Sequence, residues 1–180
     1  RADREGRSPW EVAYDLLLEQ EGRAILYLPA SNFVNNRLDA PRAMMEHPCT
    51  ILGLGDGGAH YGFICDASYP STVLAYWTRD VEEKQQLEVG QAVEMLTRRP
   101  AMAVGLADRG ILAPGYRADI NLIDFEKLTL HSPTVRYDLP AGGRRIVQQA
   151  DGYRLTMVAG VVTYRNGVAT GDRPGRLVRG

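Results

Sequence analysis

Thr50-Ile51-Leu52-Gly53-Leu54-Gly55-Asp56-Gly57-Gly58-Ala59-His60 is the run from which the chain is best read. Its opening residues, Thr50 to Leu54, are apolar and too few for a core helix, so they predict a short buried strand. The strand stops at Gly-Asp-Gly-Gly. Glycines on both sides of one carboxylate let the backbone turn sharply and let other groups approach closely. A carboxylate at the end of a buried strand, with a histidine four residues on, is where α/β proteins carry chemistry. The same residues also read as a tight turn in which Asp56 caps the next element through its side chain. Spacing alone does not choose between the two.

Upstream, Ser8-Pro9-Trp10-Glu11 is a helix start, with Ser8 as N-cap, Pro9 in the first turn and Glu11 closing a capping box. Ala13, Tyr14, Leu17 and Leu18 follow at helical spacing until Gly22 ends the helix. Ala24 to Leu28 predicts a strand, Ser31 to Asn36 a polar loop, and Asp39 to Glu46 a helix closed by Pro48. Helix, strand, helix, strand is the rhythm of a parallel sheet with covering helices.

Downstream, helices are predicted over Ser71–Arg79, Lys84–Leu96 and Ala101–Leu106. From Gly110 the texture changes, and glycines and prolines punctuate β-type runs at Ile120–Phe125, Arg154–Ala159 and Val161–Tyr164. Val158-Ala159-Gly160-Val161 predicts a hairpin, and Asn166-Gly167 a second turn. The fold class is therefore α/β, with an α/β part over 1–109 and a small β unit over 110–180. Two parallel strands cannot cover both faces of a sheet. The α/β part thus needs more chain or a partner, and its apolar edges are expected to self-associate.

Bulk composition narrows the function. The 180 residues are 44% hydrophobic and 24% charged, as in an ordinary globular protein. A formal charge of −1 leaves no electrostatic footprint for nucleic acid or an anionic membrane. No apolar run approaches the roughly 18 residues of a membrane span and no signal-peptide pattern is present, so a cytoplasmic location is expected. Cys49 and Cys65 form no CxxC pair and read as small buried apolar groups in a reducing compartment. The chain opens on Arg1 with no initiator Met, which is expected of a piece of something longer.

Several motifs in order resemble the end of the amidohydrolase superfamily barrel: Gly55-Asp56-Gly57-Gly58-Ala59-His60, then Thr97-Arg98-Arg99-Pro100-Ala101, then Gly105-Leu106-Ala107-Asp108-Arg109-Gly110. Ile111-Leu112-Ala113-Pro114-Gly115-Tyr116-Arg117-Ala118-Asp119-Ile120 is similar to the return from that barrel to a β-sandwich. Asp138-Leu139-Pro140-Ala141-Gly142-Gly143-Arg144-Arg145 and the closing Thr170-Gly171 and Pro174-Gly175-Arg176-Leu177 resemble the D-aminoacylase branch, the N-acyl-D-amino-acid deacylases of amidohydrolase family 3.

The resemblance implies the C-terminal part of a TIM-like (β/α)8 barrel of a metal-dependent hydrolase, followed by part of a small β-sandwich. It implies zinc in the full-length parent, a small-molecule amide substrate, and Asp56 as general base on a metal-bound water and as a possible metal ligand. Bound zinc lowers the pKa of its water to about 7, and a nearby carboxylate can take that proton and pass it to the leaving nitrogen. The family's His-x-His, bridging Cys or Lys, and later histidines find no match here; only His47, His60 and His131 are present. A zinc site needs three or four donors. The fragment alone is therefore expected to hold no zinc and to be silent, with the N-terminal part of the barrel, or a second copy, as its partner. D-aminoacylases that hold a substrate carboxylate do so with an Arg soon after the catalytic Asp. Tyr61 to Pro70 has no Arg or Lys and carries Asp66 instead, so an amide is implied without an N-acyl-D-amino acid being singled out.

His60 reads either as a pocket residue or as a scaffold group shaping the glycine-rich loop, with the scaffold reading preferred. Asn32, Asn35 and Asn36 follow the first predicted strand at the end where barrel sites lie, which makes Asn32 and Asn35 substrate-pocket candidates. Asp66 is read as a cap for the following helix, His47 as a helix C-terminal residue and His131 as a loop residue. Arg109 and Asp119 are read as junction residues, and Tyr76 and Trp77 as core. The rival is a stand-alone, non-catalytic α/β-plus-β assembly or binding module in which Asp56 is structural. A phosphate-binding reading of Gly55–Gly58 lacks both a following Lys-Ser/Thr and any nearby basic residue.

Overall fold

The computed structural model describes residues 1–28, 31–53, 55 and 60–178. Helices occupy the first part of the chain: α1 (Ala2–Glu5), α2 (Pro9–Gly22), α3 (Asp39–Glu46), α4 (Tyr69–Ala75), α5 (Val89–Leu96) and α6 (Arg98–Ala103). Strands occupy the last part: β1 (Ile120–Ile123), β2 (Thr129–Leu130), β3 (Thr134–Leu139), β4 (Gly143–Val147), β5 (Ala150–Asp151), β6 (Tyr153–Val158), β7 (Val161–Arg165) and β8 (Val168–Ala169).

The helix α2 begins where the capping box predicts, with the Ser8 N–H donating to the Glu11 carboxylate at 3.2 Å. Its last turn is irregular, with Gln20 and Glu21 in left-handed backbone. Only Val12 of this helix is buried. The predicted apolar face is a correction: Tyr14, Leu17 and Leu18 lie open to solvent, as does Trp10. Helical periodicity marks a face that can be covered, and no element among the described residues covers this one.

The two predicted barrel strands are a second correction. Ala24 to Leu28 forms no strand, and neither does Thr50 to Gly53. Tyr27 and Leu28 are 87% and 82% exposed. A buried parallel strand takes its hydrogen bonds and its cover from neighbours on both sides. Among the described residues these segments have no strand neighbour.

The helical core is a cluster of Met45, Val73, Trp77, Val81, Leu87, Ala92 and Met95, drawn from α3, α4, α5 and the segment between the last two. Leu38, Leu52 and Leu74 pack against it. Trp77 is thus core, as its spacing predicts, with Tyr76 set edge-on to it at 5.1 Å. The chain leaves α4 through one wide π turn, Tyr76–Asp80. The predicted helix over Lys84–Leu96 starts late, at Val89. Gln86 explains the delay: its side-chain amide donates to the carbonyls of Arg79 (2.8 Å) and Val81 (3.1 Å), holding residues ahead of α5 in a turn.

In the β part, β1, β6, β7 and β8 form one antiparallel sheet in that order. The predicted hairpin at Val158–Val161 joins β6 and β7, with Ala159 and Gly160 at φ of +51° and +79°. Both values suit the primed two-residue turn that matches strand twist. Asn166-Gly167, with φ of +49° and +77°, turns β7 into β8 in the same way. The hairpin β3–β4 and the short pair β2–β5 complete the unit.

Arg79 fastens the helical part to this unit. Its guanidinium donates to the carbonyls of Phe125 (2.5 Å) and Leu128 (2.8 Å) and lies over the Phe125 ring. Leu128 itself is fully buried.

Candidate active site

Asp56, with Leu54 and Gly57 to Ala59, lies outside the described residues. What the structure describes is the chain on either side of it. Gly55 is hemmed in by backbone: a Cβ there would sit 2.3 Å from the Asp66 carbonyl oxygen and 2.7 Å from Tyr69 Cδ1. Glycine is required here by the close approach of Asp66 and Tyr69. Asp66 exerts this through its carbonyl, which also accepts the Tyr69 N–H at 3.1 Å.

On the other side, His60 has φ of +49°, a left-handed conformation uncommon for residues other than glycine. Its carbonyl accepts the N–H groups of Phe63 (2.7 Å) and Ile64 (2.9 Å), which turns the chain back on itself. Asn32, Asn35 and Asn36 are also left-handed, at φ of +61°, +54° and +57°. Asparagine tolerates this backbone better than most residues. The side chains of His60, Asn32 and Asn35 are exposed, and no side-chain hydrogen bond among the described residues ties His60 to either asparagine.

The segment after His60 is stitched to the β unit. The Ile146 N–H of β4 donates to the Tyr61 carbonyl at 2.7 Å. The Ser68 hydroxyl donates to the Gln148 side-chain oxygen, and Gln148 donates in turn to the His131 carbonyl at 2.8 Å. Ser71 and Tyr153 hydroxyls meet at 2.7 Å. The ties from Tyr61, Ser68 and Ser71 are not legible in the sequence because they join positions some 80 residues apart, and no local pattern marks Gln148 or Tyr61.

Within this segment, partial burial, reinforced by the neighbouring Asp66 charge, pushes the Cys65 thiol above its ordinary range. The other candidates are plainly placed. His47 accepts the Cys49 N–H on Nδ1 at 3.2 Å, and His131 meets Asp151 at 2.9 Å. Asp119 accepts the Ala159 N–H and pairs with Arg117, with Arg109 3.7 Å away, at the start of the β unit. Two open hollows, of about 500 and 460 Å3, are lined by residues between Arg117 and Arg176 and by none of the predicted site residues. Among the described residues, no group of three or more His, Cys, Asp or Glu side chains is placed to hold a metal ion. By themselves they do not fit a zinc centre. Among them, too, no helix is long and apolar enough to cross a membrane.

Residues 3–164 match the amidohydrolase family, and the chain belongs to that family, a family of hydrolases. It is similar to a 5-methylthioadenosine/S-adenosylhomocysteine deaminase of Desulfitobacterium hafniense, 27% identical over 81% of this chain and 33% of the relative. An N-acyl-D-aspartate deacylase of Alcaligenes xylosoxydans xylosoxydans is 27% identical over 96% of this chain and 33% of its own length. The chain thus spans about a third of the length of these relatives. A solved D-aminoacylase mutant in complex with CuCl2 aligns at 28% identity and a TM-score of 0.47, covering 61% of this chain and 20% of that one.

Proposed function

We propose that this chain is the C-terminal portion of a metal-dependent amidohydrolase that hydrolyses a C–N bond of a linear amide, as the D-aminoacylase-like resemblance implies. The observation that carries the reading is the family match over residues 3–164. In this reading 1–109 belongs to the end of a (β/α)8 barrel and 110–180 to a β-sandwich segment. The exposed apolar side chains of Trp10, Tyr14, Tyr27 and Leu28 support it, since a barrel completed by the rest of the protein would cover them. Zinc is the proposed metal, bound by the whole protein and not by the described residues alone.

The chemistry assigned to this chain is proton transfer. Asp56 accepts a proton from the attacking water as the new C–O bond forms, and delivers it to the nitrogen as the C–N bond breaks. One carboxylate then serves as base and acid in turn, and ends the cycle ionised. His60, Asn32 and Asn35 are proposed to line the substrate side of the turn.

The test is hydrolysis by the whole protein, measured on linear amides including N-acyl-D-aspartate, before and after chelation. Cleavage that is lost with the metal and restored by zinc is expected. A folded, zinc-loaded protein that cleaves none of them, or cleavage that survives chelation, would overturn the reading.

A further inference from the structure

The hollow of about 460 Å3 in the β unit is walled by separate pieces of chain that are pinned to one another. The turn Ala159-Gly160 between β6 and β7 rests on the segment before β1. The Gly160 N–H donates to the Ala118 carbonyl at 2.9 Å, and the Ala159 N–H to the Asp119 carboxylate at 2.8 Å. Arg117 thereby lies beside the turn and lines the hollow with it. The chain after β8 is tied to β7 through Thr170. Its N–H donates to the Thr163 carbonyl at 2.9 Å, and its hydroxyl to the Val162 carbonyl at 2.8 Å. From there the chain passes along the hollow as Arg173-Pro174-Gly175-Arg176.

The charged lining is of one sign. Arg117, Arg173 and Arg176 supply three guanidinium groups, and no Asp or Glu is among the lining residues. Asp119 holds Arg117 through Nε at 2.9 Å, which leaves both Nη nitrogens of Arg117 without an acceptor among the described residues. Arg173 and Arg176 make no side-chain hydrogen bond or ion pair among the described residues, with Asp172 or any other carboxylate. Elsewhere on the surface Arg37, Arg145 and Arg154 each sit on a carboxylate. Like charges gathered round one hollow repel one another, and an anion between them removes that repulsion.

We propose that this hollow binds a phosphate dianion, free or as the phosphoryl group of a small organic monoester, on Arg117, Arg173 and Arg176. Guanidinium groups fork onto phosphate oxygens through paired N–H donors. The charge matches: three guanidinium groups offset by the Asp119 carboxylate leave two positive charges, against about −1.5 to −2 on a phosphoryl group near neutral pH. Ala159, Val161 and Pro174 add apolar wall that suits the carbon part of a monoester. None of these residues belongs to the candidate active site, so the proposal stands apart from the reading of Asp56.

The test titrates the whole protein with inorganic phosphate and, separately, with phenyl phosphate at low ionic strength, followed by phosphorus NMR. Arg173→Gln, Arg176→Gln and the double variant are run beside Arg165→Gln, which removes an exposed arginine of β7 that lines neither hollow. Replacing Arg173 or Arg176 breaks no side-chain tie among the described residues, so the melting temperature should not move. Binding with a Kd of about 1 mM or tighter is expected, weakened roughly tenfold by each single change and abolished by both. Arg165→Gln should stay within about twofold of wild type. Phenyl phosphate binding the tighter would assign a monoester as the ligand, and inorganic phosphate binding as well or better would assign the free ion. Phosphate held by a metal elsewhere in the protein would be blind to Arg173 and Arg176. Affinity undiminished in the double variant would therefore overturn the site. So would binding of neither probe, or a loss as large in Arg165→Gln as in Arg173→Gln.

Discussion

Replacing Gly55 by alanine should be far more damaging than the same change two residues earlier. At Gly55 the new methyl would lie 2.3 Å from the Asp66 carbonyl oxygen and 2.7 Å from the Tyr69 ring. The Asp66 oxygen would have to recede by about 0.7 Å to reach even 3.0 Å, the shortest distance real side chains show. It is backbone, and it also accepts the Tyr69 N–H at the start of α4, so the shift is passed into the helix. Forcing a methyl into such a site costs about 2–3 kcal/mol. Gly53 is the internal control: nothing among the described residues lies within 4 Å of its would-be methyl, and its φ is outside the left-handed region. Gly53→Ala should therefore stay within about 0.5 kcal/mol of wild type. Thermal and urea unfolding followed by circular dichroism measure both. A Gly55→Ala protein as stable as Gly53→Ala would refute the close approach of Asp66 to Gly55.

Arg79→Met leaves the Phe125 and Leu128 carbonyls without their donor and removes the cation over Phe125; a loss of about 2–3 kcal/mol in urea unfolding is expected, with Arg79→Lys recovering only part of it. Because the Cys65 thiol is held above its ordinary range, less of it is thiolate near neutral pH. Iodoacetamide should therefore modify Cys65 slowly, with a rate that is still rising at pH values where an ordinary thiol has levelled off, as read by peptide mass spectrometry. Met95, 2% exposed in the helical core, should cost about 2–5 kcal/mol on replacement by alanine in the same unfolding assay.

The parts of the fold legible in the sequence were those fixed by local chemistry. Ser8, Pro9 and Glu11 define the start of α2, and Ala159-Gly160 and Asn166-Gly167 define two turns of the four-stranded sheet, because each conformation is decided within a few residues. The strands predicted over 24–28 and 50–54 are not found among the described residues because apolar runs report what a segment can bury, while pairing depends on neighbours elsewhere in the chain. The hairpin β3–β4 is not legible because charged residues weaken its apolar signal. Arg136, Asp138, Arg144 and Arg145 give it a charged texture that does not mark two strands, although these are neighbours in sequence and carry the Asp138–Arg145 ion pair. Around the candidate site, the glycines on either side of Asp56 predict a turn, and of the run 55–60 only Gly55 and His60 lie among the described residues. The reason Gly55 must be glycine is not legible there, since the atoms that crowd it belong to Asp66 and Tyr69.

The central claim is that Asp56 carries the proton in C–N bond hydrolysis, and Asp56→Asn in the whole protein tests it most directly. Asparagine keeps the size of the side chain and removes its ability to take a proton. The account predicts turnover lowered by at least about a hundredfold, within the range that general acid–base catalysis contributes, with the melting temperature unchanged. Turnover within twofold of wild type in a folded, metal-loaded Asp56→Asn protein would contradict it.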